Sequence, residues 1–192
     1  WAPKIGVNQS TAITCVKPSG TVSQLVNCSS GIHPRHSTYF ERRVRADKKD
    51  PLSMMMIAAG IPWEDEIRHD DQPSHHLVFS FYVKAPDEAI TIERFGAMKQ
   101  LEIWKTYQEN WCKKKVSCTV SIKEHEWFDV GAWVYKWFDV VSGISFLPYA
   151  DHVYQQAPYE EMTDEQFETK SKDSPVGIDW GELIQFEDDD NT

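Results

Sequence analysis

Hydrophobic and polar positions repeat along this chain with two periods, near two and near 3.6, and the switches between them outline its elements. Residues 9–16 (Gln-Ser-Thr-Ala-Ile-Thr-Cys-Val) are rich in β-branched side chains and predict a short strand. It stops at Lys17-Pro18, where proline fixes φ and lacks a donor. Ser19-Gly20-Thr21 supplies a turn and a hydroxyl able to cap a helix suggested by Val22, Leu25 and Val26. Residues 29–37 read as a loop holding Gly31 and Pro34, and 38–46 as a second strand carrying Arg42, Arg43 and Arg45. Residues 52–59, followed by Gly60, predict a compact helix with a glycine cap, in which Met54, Met55 and Met56 pack a core.

The strongest strand pattern is 76–84, bounded by Ala85-Pro86. Phe95, Met98, Leu101, Trp104, Tyr107 and Trp111 then recur at three- and four-residue steps, an amphipathic helix whose stripe faces a core. Val116, Cys118, Val120 and Ile122 alternate as a half-buried strand. Trp127, Val130, Val134, Trp137 and Val141 mark another helix, and 143–148 a short buried strand ended by Pro148. Thr163 with Gln166 fits a capping box. Strands alternating with helices predict an α/β fold with crossover connections, a largely parallel sheet and no second domain.

Charge and composition narrow the functions open to such a fold. The chain has 192 residues with 41% hydrophobic side chains, enough to bury a core. Twenty basic against thirty acidic residues give a net charge of −10, which disfavours non-specific binding to nucleic acid or to anionic membranes. Any phosphate must therefore meet a local feature. No apolar run approaches the roughly 20 residues of a membrane span, and residues 1–9 lack a signal-peptide pattern, so a soluble chain is expected. Four cysteines make no disulfide scaffold, which favours a reducing compartment. The chain opens on Trp1, not on Met, and reads as a piece of a longer protein.

The most informative string is Lys17-Pro-Ser-Gly-Thr-Val-Ser-Gln24. A strand, a tight loop and a helix N-terminus there would gather free backbone N–H groups beside the hydroxyls of Ser19, Thr21 and Ser23, a cradle for an anion. The plainer alternative is a Ser/Thr-rich turn that caps a helix. Lys17 precedes the loop and the glycine spacing is wrong for a nucleotide-triphosphatase loop. His33 with His36, and His69 with His75 and His76, lack the fixed spacing and completing carboxylate or cysteine of a metal site, and read as polar loop residues. Cys112 and Cys118 are too far apart for a CxxC pair, Cys118 reads as core, and neither Cys15 nor Cys28 has an activating base nearby in sequence. Arg42, Arg43 and Arg45 fall on both faces of their strand and are read chiefly as partners of internal carboxylates. The tryptophans interleave with acidic residues, unlike a platform for single-stranded nucleic acid.

At these strings the chain resembles a known family. Cys15-Val-Lys-Pro-Ser-Gly-Thr-Val-Ser-Gln-Leu25, Ser30-Gly-Ile-His-Pro-Arg-His-Ser37 and Tyr39-Phe-Glu-Arg-Arg-Val-Arg45 resemble the C-terminal part of the catalytic chain of class II, adenosylcobalamin-dependent ribonucleotide reductases. Asn110-Trp-Cys112, Val116-Ser-Cys-Thr-Val120, Gly131-Ala-Trp-Val-Tyr135, Gly143-Ile-Ser-Phe-Leu-Pro148 and Gln156-Ala-Pro-Tyr-Glu-Glu161 extend the likeness over nearly the whole chain.

The resemblance implies a segment of a ten-stranded α/β barrel, with residues 1–150 as late barrel strands and helices and 151–192 as a C-terminal extension. It implies reduction of ribonucleoside di- or triphosphates to 2′-deoxyribonucleotides by a thiyl radical that adenosylcobalamin initiates, with a thioredoxin-type electron donor, in the cytoplasm. The family's phosphate-binding loop maps onto Pro18, Ser19, Gly20, Thr21, Val22 and Ser23, while Gly31, His33, Pro34 and Arg35 are weaker candidates for lining the cavity. No Asn-x-Cys-x-Glu string of the radical cysteine occurs, and the acidic ending lacks the family's cysteine pair. The resemblance thus assigns the radical chemistry, the redox cysteine pair and the effector site to an upstream part of the same enzyme, and adenosylcobalamin to the full-length enzyme with no ligand identifiable in these residues, leaving this chain alone inactive. A stand-alone phosphate-binding module and a fragment of a class I large chain are the alternatives.

Overall fold

The structure, a computed structural model, describes residues 1–68, 72–149 and 154–189. In chain order the elements are α1 (Ala2–Ile5), α2 (Val22–Leu25), β1 (Tyr39–Asp47), α3 (Pro51–Ala58), β2 (Trp63–Asp65) and β3 (His76–Lys84). They continue as α4 (Ile92–Phe95), α5 (Ala97–Asn110), β4 (Thr119–Ile122), α6 (Trp127–Lys136) and β5 (Ser145–Pro148). β6 (Tyr159–Glu161), α7 (Asp164–Lys172) and α8 (Leu183–Asp189) complete the chain. Two compact units result, each built from two stretches: Trp1–Arg35 with Asp87–Asp151, and His36–Pro86 with His152–Thr192.

The first unit contains the parallel pairing that the alternating pattern predicts. β4 and β5 run parallel from Thr119↔Ser145 to Ile122↔Pro148, with α6 as the crossover a parallel pair requires. Leu101, Trp104, Val116, Val120 and Ile122 are fully buried here. The Trp104 indole donates to the Val116 carbonyl (2.9 Å) and meets Trp133 edge-on at 6.2 Å.

Four expectations change in this unit. Residues 9–16 form no strand: only Val16 makes a bridge, to Val116, and Pro18, which has no amide, cannot carry that pairing further along the chain. The helix expected from Phe95 to Trp111 is two helices, broken at Gly96 (φ 74°), and its stripe leaves the core at Tyr107 and Trp111, both exposed. Glu126 holds that break, accepting from the amides of Ala97 (3.0 Å) and Lys123 (2.9 Å). β5 is mostly exposed, not buried, since β4 is its one partner among the described residues. The helix marked by Trp127 to Val141 ends at Lys136, with Trp127 41% exposed at its first turn and Val130 and Trp133 buried.

The second unit corrects the expectation of a largely parallel sheet. Its four strands, in the order β2-β3-β1-β6, are antiparallel throughout. The connection from β1 to β3 returns to the end it left, Asp47 facing His76, so α3 is an excursion and not a crossover. α3 begins where the Asp50 carboxylate accepts from the Leu52 amide (2.9 Å), with Pro51 at its first turn, and Gly60 follows at φ 80°. Met55 and Met56 are buried, and Met54 stands exposed. Met56, Ile61, Leu77 and Phe79 form the core there.

The arginines of β1 are structural. Arg45, Arg43 and Arg42 donate in turn to the carbonyls of Gln156 (3.3 Å), Ala157 (3.3 Å) and Pro158 (3.2 Å). Arg43 also pairs with Glu160 (2.6 Å) and buried Glu41 (3.2 Å), Arg45 with Glu66 (2.9 Å), and Arg42 lies over the Tyr159 ring. Glu41 further accepts from Ser80 (2.6 Å) and from Lys170 of α7 (3.0 Å). Burial would raise its pKa, but these two hydrogen bonds and the Arg43 charge outweigh that and hold it below the ordinary carboxylate value. α7 opens with the expected capping box, Thr163 and Gln166 bonding each other's backbone.

Candidate functional site

Residues 17–23 form an exposed loop that ends in α2, a single turn of helix. The helix is shorter than the sequence pattern suggests and Thr21 makes no side-chain cap, so a helix dipole contributes little here. What the loop offers is local. Gly20 turns it at φ 61° with open space around the α-carbon. The Val22 amide bonds back to Ser19 (3.3 Å), whereas the amides of Gly20, Thr21 and Ser23 have no acceptor among the described residues. Ser23 is 3% exposed, and its hydroxyl is buried without a hydrogen-bond partner there. A buried hydroxyl left unbonded costs about 1–3 kcal/mol.

A second loop supports the first. The Ser30 hydroxyl accepts from the Ser19 amide (2.8 Å), and Gly31 lies against Lys17 at φ 59°. A β-carbon at Gly31 would come within 3.1 Å of the Lys17 carbonyl oxygen, so only glycine fits. His33 bonds the Ser30 carbonyl through Nδ1 (2.7 Å) and accepts the Thr119 amide at Nε2 (2.9 Å). Pro34 is half-buried beside it. Arg35 is buried, its backbone paired with Ile90 and Ile92 (both 2.8 Å), and its guanidinium donates to the Cys28 carbonyl (2.9 Å) and the Asn27 side chain. The structure therefore gathers Pro18, Ser19, Gly20, Thr21, Val22 and Ser23 on one loop, with Gly31 against it and His33 joined to it through Ser30, while Arg35 bonds Asn27 and Cys28 beyond α2 and Pro34 is only half-buried between His33 and Arg35. Sequence reasoning passed over Ser30 and Thr119 as members of this group; a serine beside an obligatory glycine was the one local signal.

The remaining candidates are not drawn to this loop as reactive groups. Cys15 and Cys28 are exposed thiols; Cys112 and Cys118 are buried. Burial pushes the Cys112 thiol up and the Cys118 thiol to about 11. His75 and His76 lie exposed in the other unit, His76 3.4 Å from Glu66, and His69 lies outside the described residues. Burial lowers His36, which stacks on Tyr159.

No family model matches the chain. Curated relatives do. The adenosylcobalamin-dependent ribonucleoside-triphosphate reductase of Lactobacillus delbrueckii subsp. bulgaricus is 29% identical over 177 residues, covering 90% of this chain and 23% of that protein. The enzyme of the same name from Euglena gracilis is 32% identical over 164 residues, covering 84% of this chain and 22% of its own length. The crystal structure of a B12-dependent class II ribonucleotide reductase superposes on 96% of the chain with a TM-score of 0.76 and 26% identity, over 25% of its own length. This chain is a homologue of the class II ribonucleotide reductases.

It spans about a quarter of the length of these relatives. The mixture of helices and strands agrees with the α/β fold expected from the resemblance, while the strands described here form two open sheets and not a closed barrel. These relatives are adenosylcobalamin-dependent and the solved structure is that of a B12-dependent enzyme. Among the described residues no three His, Cys, Asp or Glu side chains are grouped to hold a metal ion, which a cobalt already held by its corrin ring does not require.

Proposed function

We propose that this chain supplies the substrate-phosphate loop of an adenosylcobalamin-dependent ribonucleoside-triphosphate reductase. The observation that carries this reading is the coincidence, on one exposed loop, of three unbonded amides and the buried, unpartnered hydroxyl of Ser23. Such a nest of donors suits phosphate oxygens and works without cationic side chains, as an acidic chain requires. The names of the relatives favour a triphosphate over a diphosphate.

The loop's part in the reaction is to bind and orient. Amides of Gly20, Thr21 and Ser23 and the exposed hydroxyls of Ser19 and Thr21 grip the triphosphate, with the Ser23 hydroxyl beneath them, fixing the ribose with respect to the reacting groups of the whole enzyme. Well-oriented placement of this kind supplies several kcal/mol of a barrier. In a class II enzyme the cobalamin provides the radical; no step is assigned to it through residues of this chain. We assign residues 1–150 to the barrel and 151–192 to an extension, a thioredoxin-type protein as reductant, the remainder of the same enzyme as the structural partner, and the cytoplasm as the compartment. No helix among the described residues is long and apolar enough to cross a membrane.

The test is nucleotide binding and cobalamin-dependent turnover in a complete enzyme carrying this chain, with Ser19, Thr21 and Ser23 changed to alanine together. The expected result is a loss of triphosphate affinity of about tenfold or more with the fold intact. Unchanged affinity and turnover would remove the assignment.

A further inference from the structure

The phosphate loop is tied to the core of its unit by a series of hydrogen bonds. Gln100 of α5, 3% exposed, donates to the Thr119 carbonyl (3.0 Å), fixing the start of β4. The Thr119 amide donates to His33 Nε2 (2.9 Å). His33 Nδ1 meets the Ser30 carbonyl (2.7 Å), and the Ser30 hydroxyl accepts from the Ser19 amide (2.8 Å). The chemistry of the two ends decides the state of the ring. A backbone amide can only donate and a carbonyl only accept, so Nε2 carries a lone pair and the proton sits on Nδ1.

We propose that His33, as the neutral Nδ1–H tautomer, is a positioning residue that transmits the register of β4 through Ser30 to Ser19 and so holds the anion-binding amides of Gly20, Thr21 and Ser23 in place. This rests on the phosphate-loop reading above and gives His33 a defined role within it. An imidazole suits the task because it is rigid and carries a donor and an acceptor on opposite sides. It spans from a loop carbonyl to a strand amide 86 residues away in sequence. The turn is closed on itself where the Val22 amide bonds the Ser19 carbonyl (3.3 Å) and is held beyond by Gln24 to Thr21 and Cys28 to Ser23 (both 3.0 Å), so Ser19 is the point at which the relay enters it.

The experiment uses a complete enzyme carrying this chain, isotope-labelled over its 192 residues, with inorganic tripolyphosphate as the probe. The variants are His33→Ala, His33→Asn, which keeps a donor toward Ser30 but cannot reach Thr119, and the exposed control His75→Ala. Long-range proton–nitrogen spectra of the wild type read the tautomer, amide exchange at Ser19 reads the anchor, and shifts of the Gly20, Thr21 and Ser23 amides read the affinity. Expected are a protonated Nδ1 with a bare Nε2, and in His33→Ala a rise of about tenfold in both Ser19 exchange and the tripolyphosphate Kd. His33→Asn falls between the two, the control is silent, and the amides of Val120 and Ile122 stay protected throughout.

A proton on Nε2, or a His33→Asn chain with wild-type Ser19 exchange and affinity, overturns the proposal even if His33→Ala does not fold. A wild-type chain that ignores tripolyphosphate overturns the phosphate reading and this role with it. That failure is distinct from a broken relay, because the tautomer and the Ser19 exchange are measured without ligand.

Discussion

Replacing Gly31 by alanine tests how tightly the two loops of the site are joined. The new β-carbon would stand 3.1 Å from the Lys17 carbonyl oxygen, 3.5 Å from its carbon and 3.6 Å from the Pro18 α-carbon, all backbone atoms that cannot rotate aside. The backbone at φ 59° adds a left-handed cost of about 1–2 kcal/mol for any residue with a β-carbon. Overpacking against a fixed backbone adds about 1–3 kcal/mol. Gly20 provides the control: it has nearly the same φ, 61°, but open space, so Gly20→Ala carries the first cost without the second. Urea denaturation of both variants, compared at equal m values, isolates the contact, and Gly31→Ala is expected to be the less stable by about 1–3 kcal/mol. Tripolyphosphate titration of the same Gly31→Ala chain should show weakened binding, since relieving the clash displaces Lys17 and the loop behind it. Equal stabilities, within about 0.5 kcal/mol, would refute the idea that Gly31 clamps the loop of residues 17–23.

Glu41→Gln should destabilise the second unit by about 2–4 kcal/mol in thermal unfolding near pH 7, because Arg43 and Lys170 lose their shared carboxylate. The folded pKa of Glu41 lies below its unfolded value, so its contribution is fully present above the unfolded pKa and disappears as pH falls through the folded one. The gap between wild type and Glu41→Gln should therefore close below about pH 4, as unfolding midpoints across pH will reveal. Trp104→Phe removes the donor to the Val116 carbonyl and leaves a small void, an expected loss of about 2–3 kcal/mol by denaturant titration. Gln156→Ala deletes the amide that bonds the Ile67 N–H (2.9 Å) and the Asp65 carbonyl (2.8 Å), at a residue with φ 55°, and should cost about 2 kcal/mol by the same measurement. A disulfide reagent at neutral pH should titrate two thiols in the native chain, Cys15 and Cys28, and four after unfolding.

Local patterns were legible where local physics decides the outcome. β3 occupies the residues its β-branched and aromatic run predicted, and the Thr163–Gln166 box opens α7 as its spacing required. The Pro-Ser-Gly-Thr string was enough to single out residues 18–23 as the candidate site. Features set by distant partners were not legible. Whether β1 and β3 run parallel depends on the end to which residues 48–75 return, which no hydrophobic period encodes. Residues 9–16 have the composition of a strand but find only one bridge. The arginines of β1 looked like partners for carboxylates, and half their bonds go instead to carbonyls of Gln156, Ala157 and Pro158. In the site, the loop could be read, but its support through His33 to Thr119 joins residues too far apart for spacing to reveal.

The sheet order β2-β3-β1-β6 has a consequence for the order of synthesis. β1 leaves the ribosome long before β6, and Arg43 waits for Glu160, 117 residues later. At ordinary translation speeds that interval is on the order of 10 s. Throughout it one flank of the nascent sheet, with the charge of Glu41 beside it, offers unsatisfied backbone to any passing strand, so the half-made protein depends on rapid covering by its own last residues or on a chaperone.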